Sequence, residues 1–230
     1  MRIKAILFDF GGVIVNECIS FLEYGNLFLK KLREKGVEID IESLGQWLEK
    51  KFEEIYHSAI ERRLEDLVYE YFLAMGKEID KELIKEVMEE IMSIDYCKLN
   101  EEAIDAIKKL REMGYKLCIV SNWLEEFPRK FLKRKGLDKY FDCIIISCDL
   151  GIRKPRREIF EEALKRLNIK PEEAIFVGDI EWTDIEGSKA LGMKAVLYVK
   201  DKDNVETKAD FVINDLRELI NIVKQLEEKT

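Results

Sequence analysis

Residues 3–13 read IKAILFDFGGV, an apolar run rich in β-forming residues that ends in an aspartate and two glycines. A short run with apolar residues at nearly every position is typical of a strand buried on both faces. Gly11 and Gly12 interrupt the pattern and indicate a turn directly after Asp9. The stretch therefore predicts a buried strand that presents a carboxylate at its carboxyl end.

The same pattern recurs along the chain. Further strands are predicted from the runs at 116–120 (KLCIV), 143–146 (CIII), 174–177 (AIFV), 194–199 (KAVLYV) and 210–213 (DFVI). Helical periodicity occupies the intervals 101–113, 125–135, 157–167 and 184–191, and returns at 215–228. Strands that alternate with helices at this spacing predict an α/β fold, with a Rossmann-like parallel sheet covered by helices on both faces.

Residues 16–95 interrupt this alternation. They contain no convincing strand, and their apolar residues recur every three or four positions, which predicts about four amphipathic helices. We therefore expect a discontinuous Rossmann-like core formed by 1–15 and 96–230. Residues 16–95, called the cap segment below, are expected to form an inserted all-helical bundle.

Composition excludes several classes of partner. With 39 Lys and Arg against 47 Asp and Glu, the net charge is −8, and such a chain lacks the positive field that attracts nucleic acids or anionic membranes. The absence of an apolar stretch of ~18 residues and of a signal-like N-terminal run predicts a cytoplasmic protein.

The five cysteines include no CxxC pair, so we expect buried reduced thiols rather than a zinc site. Abundant Glu and Lys with two Gln are typical of heat-adapted proteins.

Polar side chains stand where the predicted strands end. Asp9 follows the first strand, Ser121 the second and Asp179 the fourth, with Lys154 in the loop after the third and Asp184 five residues beyond Asp179. Ligands of open parallel sheets bind outside the carboxyl ends of the strands, so we expect these side chains at one edge. Three carboxylates beside one ammonium repel each other unless a cation joins them, and Mg²⁺ prefers such oxygen ligands. The sequence therefore predicts a Mg²⁺ site.

These positions give the chain a resemblance to the haloacid dehalogenase-like (HAD) hydrolase superfamily. FDxGGV at 8–13, the strand end Ser121-Asn122, GIRKP at 151–155 and GDxxxxD at 178–184 stand in the order of the four motifs of that superfamily. The helical cap segment is similar to the cap that one large subgroup inserts after the first motif. The resemblance covers the whole chain and implies a hydrolase, with phosphatase-like chemistry on a small phosphorylated metabolite.

The resemblance also implies roles for individual residues. Asp9 would be the nucleophile and form an aspartyl-enzyme intermediate, Ser121 would donate a hydrogen bond to the transferring group, and Lys154 would neutralise developing charge. The implied substrate-binding residues are Gly11, Gly12 and Asn122. The implied Mg²⁺ ligands are Asp9, the backbone carbonyl of Gly11, Asp179 and, directly or through an intermediary, Asp184.

One position departs from the pattern of the phosphatases. They usually carry a second aspartate two residues after the nucleophile, where this chain has Gly11. The backbone carbonyl is retained, but a general acid worth ~10²–10⁴ in rate is missing. Glu17, Glu181 or a residue of the cap segment is a candidate replacement. Alternatively, the substrate has a good leaving group, as in acyl and aryl phosphates, or the intermediate is released slowly.

Three functions follow as hypotheses. The first is a Mg²⁺-dependent phosphatase whose cap segment selects the substrate; Phe21, Tyr24 and Trp47 are candidates for that lining or for the core of the bundle. The second is a ligand-binding protein that has kept the fold and lost efficient turnover. The third is a metal-independent 2-haloacid dehalogenase, which Asp179 and Asp184 argue against, since dehalogenases need no metal.

Overall fold

The structure is a computed structural model that describes residues 2–202 and 205–228, with only the backbone of Phe21 and Leu22. Its strands are β1 (Ala5–Phe8), β2 (Val15–Asn16), β3 (Lys98–Leu99), β4 (Lys116–Ser121), β5 (Cys143–Ile146), β6 (Ala174–Gly178), β7 (Lys194–Tyr198) and β8 (Phe211–Ile213). Its α-helices are α1 (Phe21–Glu34), α2 (Ile41–Ser58), α3 (Leu64–Ala74), α4 (Lys81–Met92), α5 (Glu101–Glu112), α6 (Phe127–Arg134), α7 (Ser147–Leu150), α8 (Arg157–Leu167), α9 (Gly187–Lys189) and α10 (Leu219–Glu228).

In the described ranges, six strands form one parallel sheet in the order β5-β4-β1-β6-β7-β8. β1 lies inside the sheet and pairs with β4 and β6 along its length, which sets Phe8 level with Ile119 and Val177. The predicted α/β fold with a helix-covered parallel sheet is confirmed. Because the three strands end within two residues of the same level, their carboxyl ends lie side by side.

The sheet is buried on both faces because neighbouring side chains of a strand point in opposite directions. Ile6 and Phe8 of β1 pack into one apolar cluster, which continues into the cap segment. Leu7 points to the other face and packs in the cluster that contains Phe160 of α8. Full burial of each such side chain contributes about 1.5–3 kcal/mol, so the central strand is held firmly on both sides.

Short polar side chains define where several helices begin. Ser20 and Glu23 form a reciprocal capping box at the start of α1. Asp40, Asp80 and Asn100 accept backbone N–H groups at the starts of α2, α4 and α5. Each such cap is worth about 1 kcal/mol, and together they explain why the helical periodicity begins where it does.

The cap segment contains α1 to α4, joined to the rest of the chain by two linkers that lie together. β2 and β3 pair as an antiparallel ladder, and a disulfide joins Cys18 to Cys97 beside it. The expectation of no strand within 16–95 is wrong at its first residue, because Asn16 belongs to β2. A two-residue strand has no periodicity to detect. The division at 15/16 and 95/96 stays a prediction.

The prediction of reduced thiols is wrong for four of the five cysteines. Besides the Cys18–Cys97 bond, the structure joins Cys118 to Cys143. These two residues face each other in register across β4 and β5, which is why two separate apolar runs bring their side chains together. Within the described chain, Cys148 remains a buried free thiol.

The helix predicted over 184–191 also differs. The chain instead forms a π-helical turn at Glu181–Glu186, followed by the short α9. Asp184 accepts the backbone N–H groups of Asp179 and Ile180, at 3.2 and 3.1 Å. This local bonding within the preceding loop places Asp184 in the middle of a wide turn rather than at the start of a helix.

Candidate active site

Three strand ends meet at the carboxyl edge of the sheet. Asp9 follows β1 and donates its backbone N–H to the carbonyl of Val177 at 2.8 Å. Ser121 is the last residue of β4, and Asp179 directly follows β6. The level register of β1, β4 and β6 therefore brings together the side chains that the sequence placed at successive strand ends.

A buried lysine joins two of the acids. The Nζ of Lys154 lies 2.9 Å from Oδ1 of Asp9 and 2.8 Å from Oδ1 of Asp184, and its side chain is 1% exposed. One oxygen from each of Asp9, Asp179 and Asp184 lies within 4.8 Å of the others. One ammonium cannot balance three carboxylates, so two negative charges remain when all three are ionised.

The pKa values reflect this crowding. Burial raises the pKa of Asp9 from 3.8 to about 7; Lys154 opposes the rise, while Asp184 and Asp179 add to it. Burial and the charge of Asp184 raise the pKa of Asp179 to about 6. Burial by itself would lower the pKa of Lys154, but Asp184 and Asp9 raise it above 10.5. In the absence of a bound cation, Lys154 therefore keeps its proton, while Asp9 and Asp179 resist ionisation.

The residues fit a divalent metal ion. Oδ1 of Asp179 is buried and has no hydrogen-bond partner among the described residues, an arrangement that a cation would satisfy. Asp179 also presses against the turn after β1. A Cβ on Gly12, whose φ is +73°, would lie 1.9 Å from Oδ2 of Asp179, so this position requires glycine. Asp9, Gly11 and Asp179 all line the cavity at this edge, and the carboxylates of Asp9 and Asp179 could hold the ion.

The side-chain polar atoms of Asp184 and Asn122 already bond to other groups of the protein. Oδ2 of Asp184 accepts two backbone N–H groups and Oδ1 pairs with Lys154, so this carboxylate holds the loop around Asp179 in place. The amide of Asn122 donates to the carbonyl of Lys154 at 3.0 Å and accepts its backbone N–H at 2.8 Å. Both residues therefore position the lysine and the acids.

Ser121 presents an unsatisfied hydroxyl. Its side chain is 1% exposed, and Oγ is buried with no hydrogen-bond partner within the described chain. A buried hydroxyl without a partner costs about 1–3 kcal/mol. A ligand at the strand ends would supply that partner.

A cavity of about 300 Å³ opens above Asp9. Sequence reasoning gave no role to the other residues that line it, which are Tyr56, Trp123, Arg153, Ile180, Trp182 and Thr183. Arg153 stands next to Lys154 in the chain, and this adjacency was an available signal. Tyr56 comes from α2 of the cap segment and packs against Trp182 at a ring distance of 5.3 Å. No local pattern could have placed it here.

The two named candidates for the missing acid, Glu17 and Glu181, do not line this cavity. Glu17 is exposed and pairs with Lys98. Glu181 accepts from the hydroxyl of Thr207 and the backbone N–H of Lys208. Within the described chain, Asp9 and Asp179 are the carboxylates that line the cavity. A Cβ on Gly11 would touch Trp123 at 3.4 Å, so the indole bounds the space of the absent side chain.

Of the aromatic candidates in the cap segment, one lines a cavity and one packs inside the helical bundle. Tyr24 lines a second cavity beside the first, described below. Trp47 packs against Tyr71 at a ring distance of 6.2 Å, as expected for the core of the bundle. The side chain of Phe21 lies outside the described part of the structure.

A parallel sheet with an acidic cluster and a buried lysine at its carboxyl edge, beneath a helical segment, is the arrangement of an α/β enzyme that binds its ligand at that edge. The family model described as haloacid dehalogenase-like hydrolase matches residues 3–192, and the chain belongs to this family. The prediction of a HAD-like hydrolase is therefore confirmed.

Individual relatives agree with this assignment. The glyceraldehyde 3-phosphate phosphatase of Methanopyrus kandleri is 31% identical, over 97% of this chain and 98% of the relative. The solved structure of a HAD phosphatase from Thermococcus onnurineus is 30% identical, with a TM-score of 0.68 over 96% of this chain and 98% of that one. A 2-haloacid dehalogenase from Pseudomonas syringae has a TM-score of 0.77 at 22% identity, over 98% of this chain and 100% of that one, which shows a shared fold.

Proposed function

We propose that this protein is a Mg²⁺-dependent phosphatase that acts on a small phosphorylated metabolite through an aspartyl-phosphate intermediate. The observation that carries the proposal is the environment of Asp9. Its Oδ1 accepts the backbone N–H of Phe10 at 2.7 Å and lies 2.9 Å from Nζ of Lys154, which leaves Oδ2 for attack. Within the described chain, the two nearby orphaned oxygens, Ser121 Oγ and Asp179 Oδ1, are suited to a phosphoryl group and a cation.

In the first step Oδ2 of Asp9 attacks phosphorus, and the bond from phosphorus to the leaving oxygen breaks with its electron pair on that oxygen. Lys154 and the Ser121 hydroxyl stabilise the charge on the phosphoryl oxygens. In the second step water attacks phosphorus, phosphate leaves, and the Asp9 carboxylate is regenerated. Mg²⁺, held by Asp9, Asp179 and the Gly11 carbonyl, would supply positive charge against the phosphoryl group. Asp184 and Asn122 keep Lys154 in place throughout.

The relatives support phosphatase chemistry because two of those described above are named as phosphatases. The acidic cluster separates this proposal from the alternatives. Metal-independent dehalogenation gives no role to the unpartnered, buried oxygen of Asp179 in the described chain. Binding without turnover accords with the missing acid at Gly11. It does not account for the Asp9 carboxylate, which an ion pair and a hydrogen bond hold in place at the cavity.

The test combines turnover with detection of the intermediate. Phosphate release from a panel of phosphorylated metabolites and aryl phosphates is expected with Mg²⁺ and is expected to stop with EDTA. Asp9→Asn should abolish release, while the control Asp105→Asn, at an exposed position on α5, should retain it. Mass spectrometry of acid-quenched protein should find a phosphoryl group on Asp9.

Three outcomes would contradict the proposal. Full turnover by Asp9→Asn would remove the nucleophile, and halide release from a 2-haloacid without metal would establish the dehalogenase instead. Metal or ligand binding with no turnover of any phosphate would favour the binding protein.

We further propose that residues 16–95 act as a cap over the core of 1–15 and 96–230 in a heat-adapted cytoplasmic protein. Tyr56 of the cap segment reaches the cavity above Asp9, which supports a cap. Paired Lys and Glu side chains on the surface, such as Lys31 with Glu90, support heat adaptation. In the part of the chain that the structure describes, no helix combines the length and apolarity needed to cross a membrane.

A further inference from the structure

A second cavity continues from the one above Asp9. It has a volume of about 430 Å³ and lies between the cap segment and the core. The two cavities share Tyr56, Asn122, Trp123 and Arg153 in their walls, so they adjoin across these residues and are together called the cleft. A phosphoryl group seated at Asp9 would therefore direct its ester group into the larger cavity.

The larger cavity is lined mainly by rings and aliphatic side chains. Its apolar walls include Ile19, Tyr24, Phe52, Tyr56, Leu64, Tyr96 and Trp123. Such walls bury apolar and aromatic groups through area and ring contacts. The cleft is thus far more suited to a planar apolar group than to a short polyhydroxylated chain.

The two acids in this wall are already engaged. Glu125 accepts the hydroxyls of Tyr24 and Tyr96 at 2.8 and 2.6 Å. Glu61 accepts the hydroxyl of Ser147 at 2.6 Å and lies 3.8 Å from Arg153. Both carboxylates are less than 8% exposed, so they shape the wall and offer little to a polar ligand.

The chemistry at Asp9 points to the same class of substrate. With Gly11 in place of a general acid, the leaving oxygen departs without a proton from residue 11. A phenol, with a pKa of about 10, leaves as an anion far more readily than an aliphatic alcohol, whose pKa is closer to the value of about 15.7 for water. An aryl ester thus reduces the need for the missing acid.

We propose that the substrates are phosphate monoesters of phenols, with the aryl group held in the larger cavity and Tyr56 determining specificity. This inference rests on the proposed phosphatase function. Asp9 displaces the phenolate, which takes a proton from solvent, and water then releases phosphate from Asp9. Overall, one aryl phosphate and one water give one phenol and one hydrogen phosphate.

The test uses four substrates that separate ring binding from leaving-group quality. 2-Naphthyl phosphate has both an aromatic group and a good leaving group, acetyl phosphate has only the leaving group, benzyl phosphate has only the ring, and glycerol phosphate has neither. We expect kcat/KM for 2-naphthyl phosphate to exceed that for glycerol phosphate at least ~100-fold, the lower end of the effect of a general acid. Benzyl phosphate should show a low KM with a low kcat. Acetyl phosphate should show a high KM with a high kcat.

The variant Tyr56→Ala tests the specificity role. It should raise the KM of the two aromatic substrates roughly 3- to 10-fold more than that of acetyl phosphate, the size of one ring contact. Leu73→Ala is the control, because it removes a similarly exposed apolar side chain, 53% against 54%, from a position outside both cavities. This control should leave all four substrates unaffected.

The outcomes separate the two proposals. Mg²⁺-dependent release from glycerol phosphate as efficient as from 2-naphthyl phosphate would overturn the aryl class and leave the phosphatase standing. An equal effect of Tyr56→Ala on aromatic and non-aromatic substrates would overturn the role of Tyr56. No phosphate release from any of the four would count against the phosphatase itself, and the aryl class would fall with it.

Discussion

Replacement of Asp9 by Asn should change how the stability of the metal-free protein depends on pH. Asp9 is 7% exposed, and burial, followed in effect by the neighbouring charges, raises its pKa from 3.8 to about 7. An acid with a higher pKa in the folded state binds its proton more tightly when folded. Its contribution to the free energy of unfolding is therefore fully present below about pH 4 and is lost as the pH rises towards 7.

The magnitude follows from the shift. A rise of about 3 pKa units corresponds to about 4 kcal/mol at 1.36 kcal/mol per unit. Asn is isosteric and does not titrate, so the variant escapes this loss. The free energy of unfolding of Asp9→Asn, minus that of the wild type, should increase by up to about 4 kcal/mol between pH 4 and 7 and then level off.

Urea unfolding in EDTA, followed by tryptophan fluorescence at several pH values between about 4 and 8, measures this difference. Asp105→Asn, which removes a carboxylate from an exposed position on α5, is the control for the loss of one acidic side chain. Added Mg²⁺ should stabilise the wild type more at pH 8 than at pH 5, because the ion binds the ionised carboxylates. A difference between Asp9→Asn and wild type that is flat, or that decreases with pH, would refute the reasoning.

Three further perturbations have definite expected results. Gly178→Ala should lower the free energy of unfolding by about 1–3 kcal/mol in urea titrations, because its Cβ would lie 2.3 Å from Cβ of Asp184. Gly45→Ala is the control: its Cβ would meet nothing within 4 Å, so the variant should be neutral or more stable by up to about 1 kcal/mol. Lys154→Met leaves two buried carboxylates without their cation, so a loss of about 3–5 kcal/mol is expected, and an unchanged melting temperature would contradict the buried ion pairs. Cys18→Ser opens a disulfide with a sequence separation of 79 and should cost about 4 kcal/mol in non-reducing urea titrations; the same loss in reducing buffer would show that the bond is not the cause.

Local pattern determined the layers of the fold. The apolar runs at 116–120, 143–146 and 174–177 each became a strand within one residue of the prediction, because a buried strand needs only a short run of apolar, mostly β-branched side chains. The meeting of Asp9, Ser121 and Asp179 also follows from sequence, since strands of one parallel sheet expose their carboxyl ends at the same edge.

Long-range packing decided what local pattern does not contain. The role of Asn122 depends on two hydrogen bonds to the backbone of Lys154, 32 positions away. The burial of Asp184 depends on its ion pair with the same lysine. The bond between Cys18 and Cys97 depends on two linkers lying side by side. None of these arrangements has a periodicity, so no spacing in the chain indicates them.

The difference between what local sequence determines and what packing determines is clearest at the cleft. The strand-end chemistry around Asp9 is encoded by neighbours in sequence, because each functional side chain directly follows the strand that places it. The shape of the space above it is set by how the cap segment packs on the core, which brings Tyr56 to Trp182 across 126 positions of chain. A helix pattern specifies which face of a helix is apolar, and only the packed structure decides what that face meets.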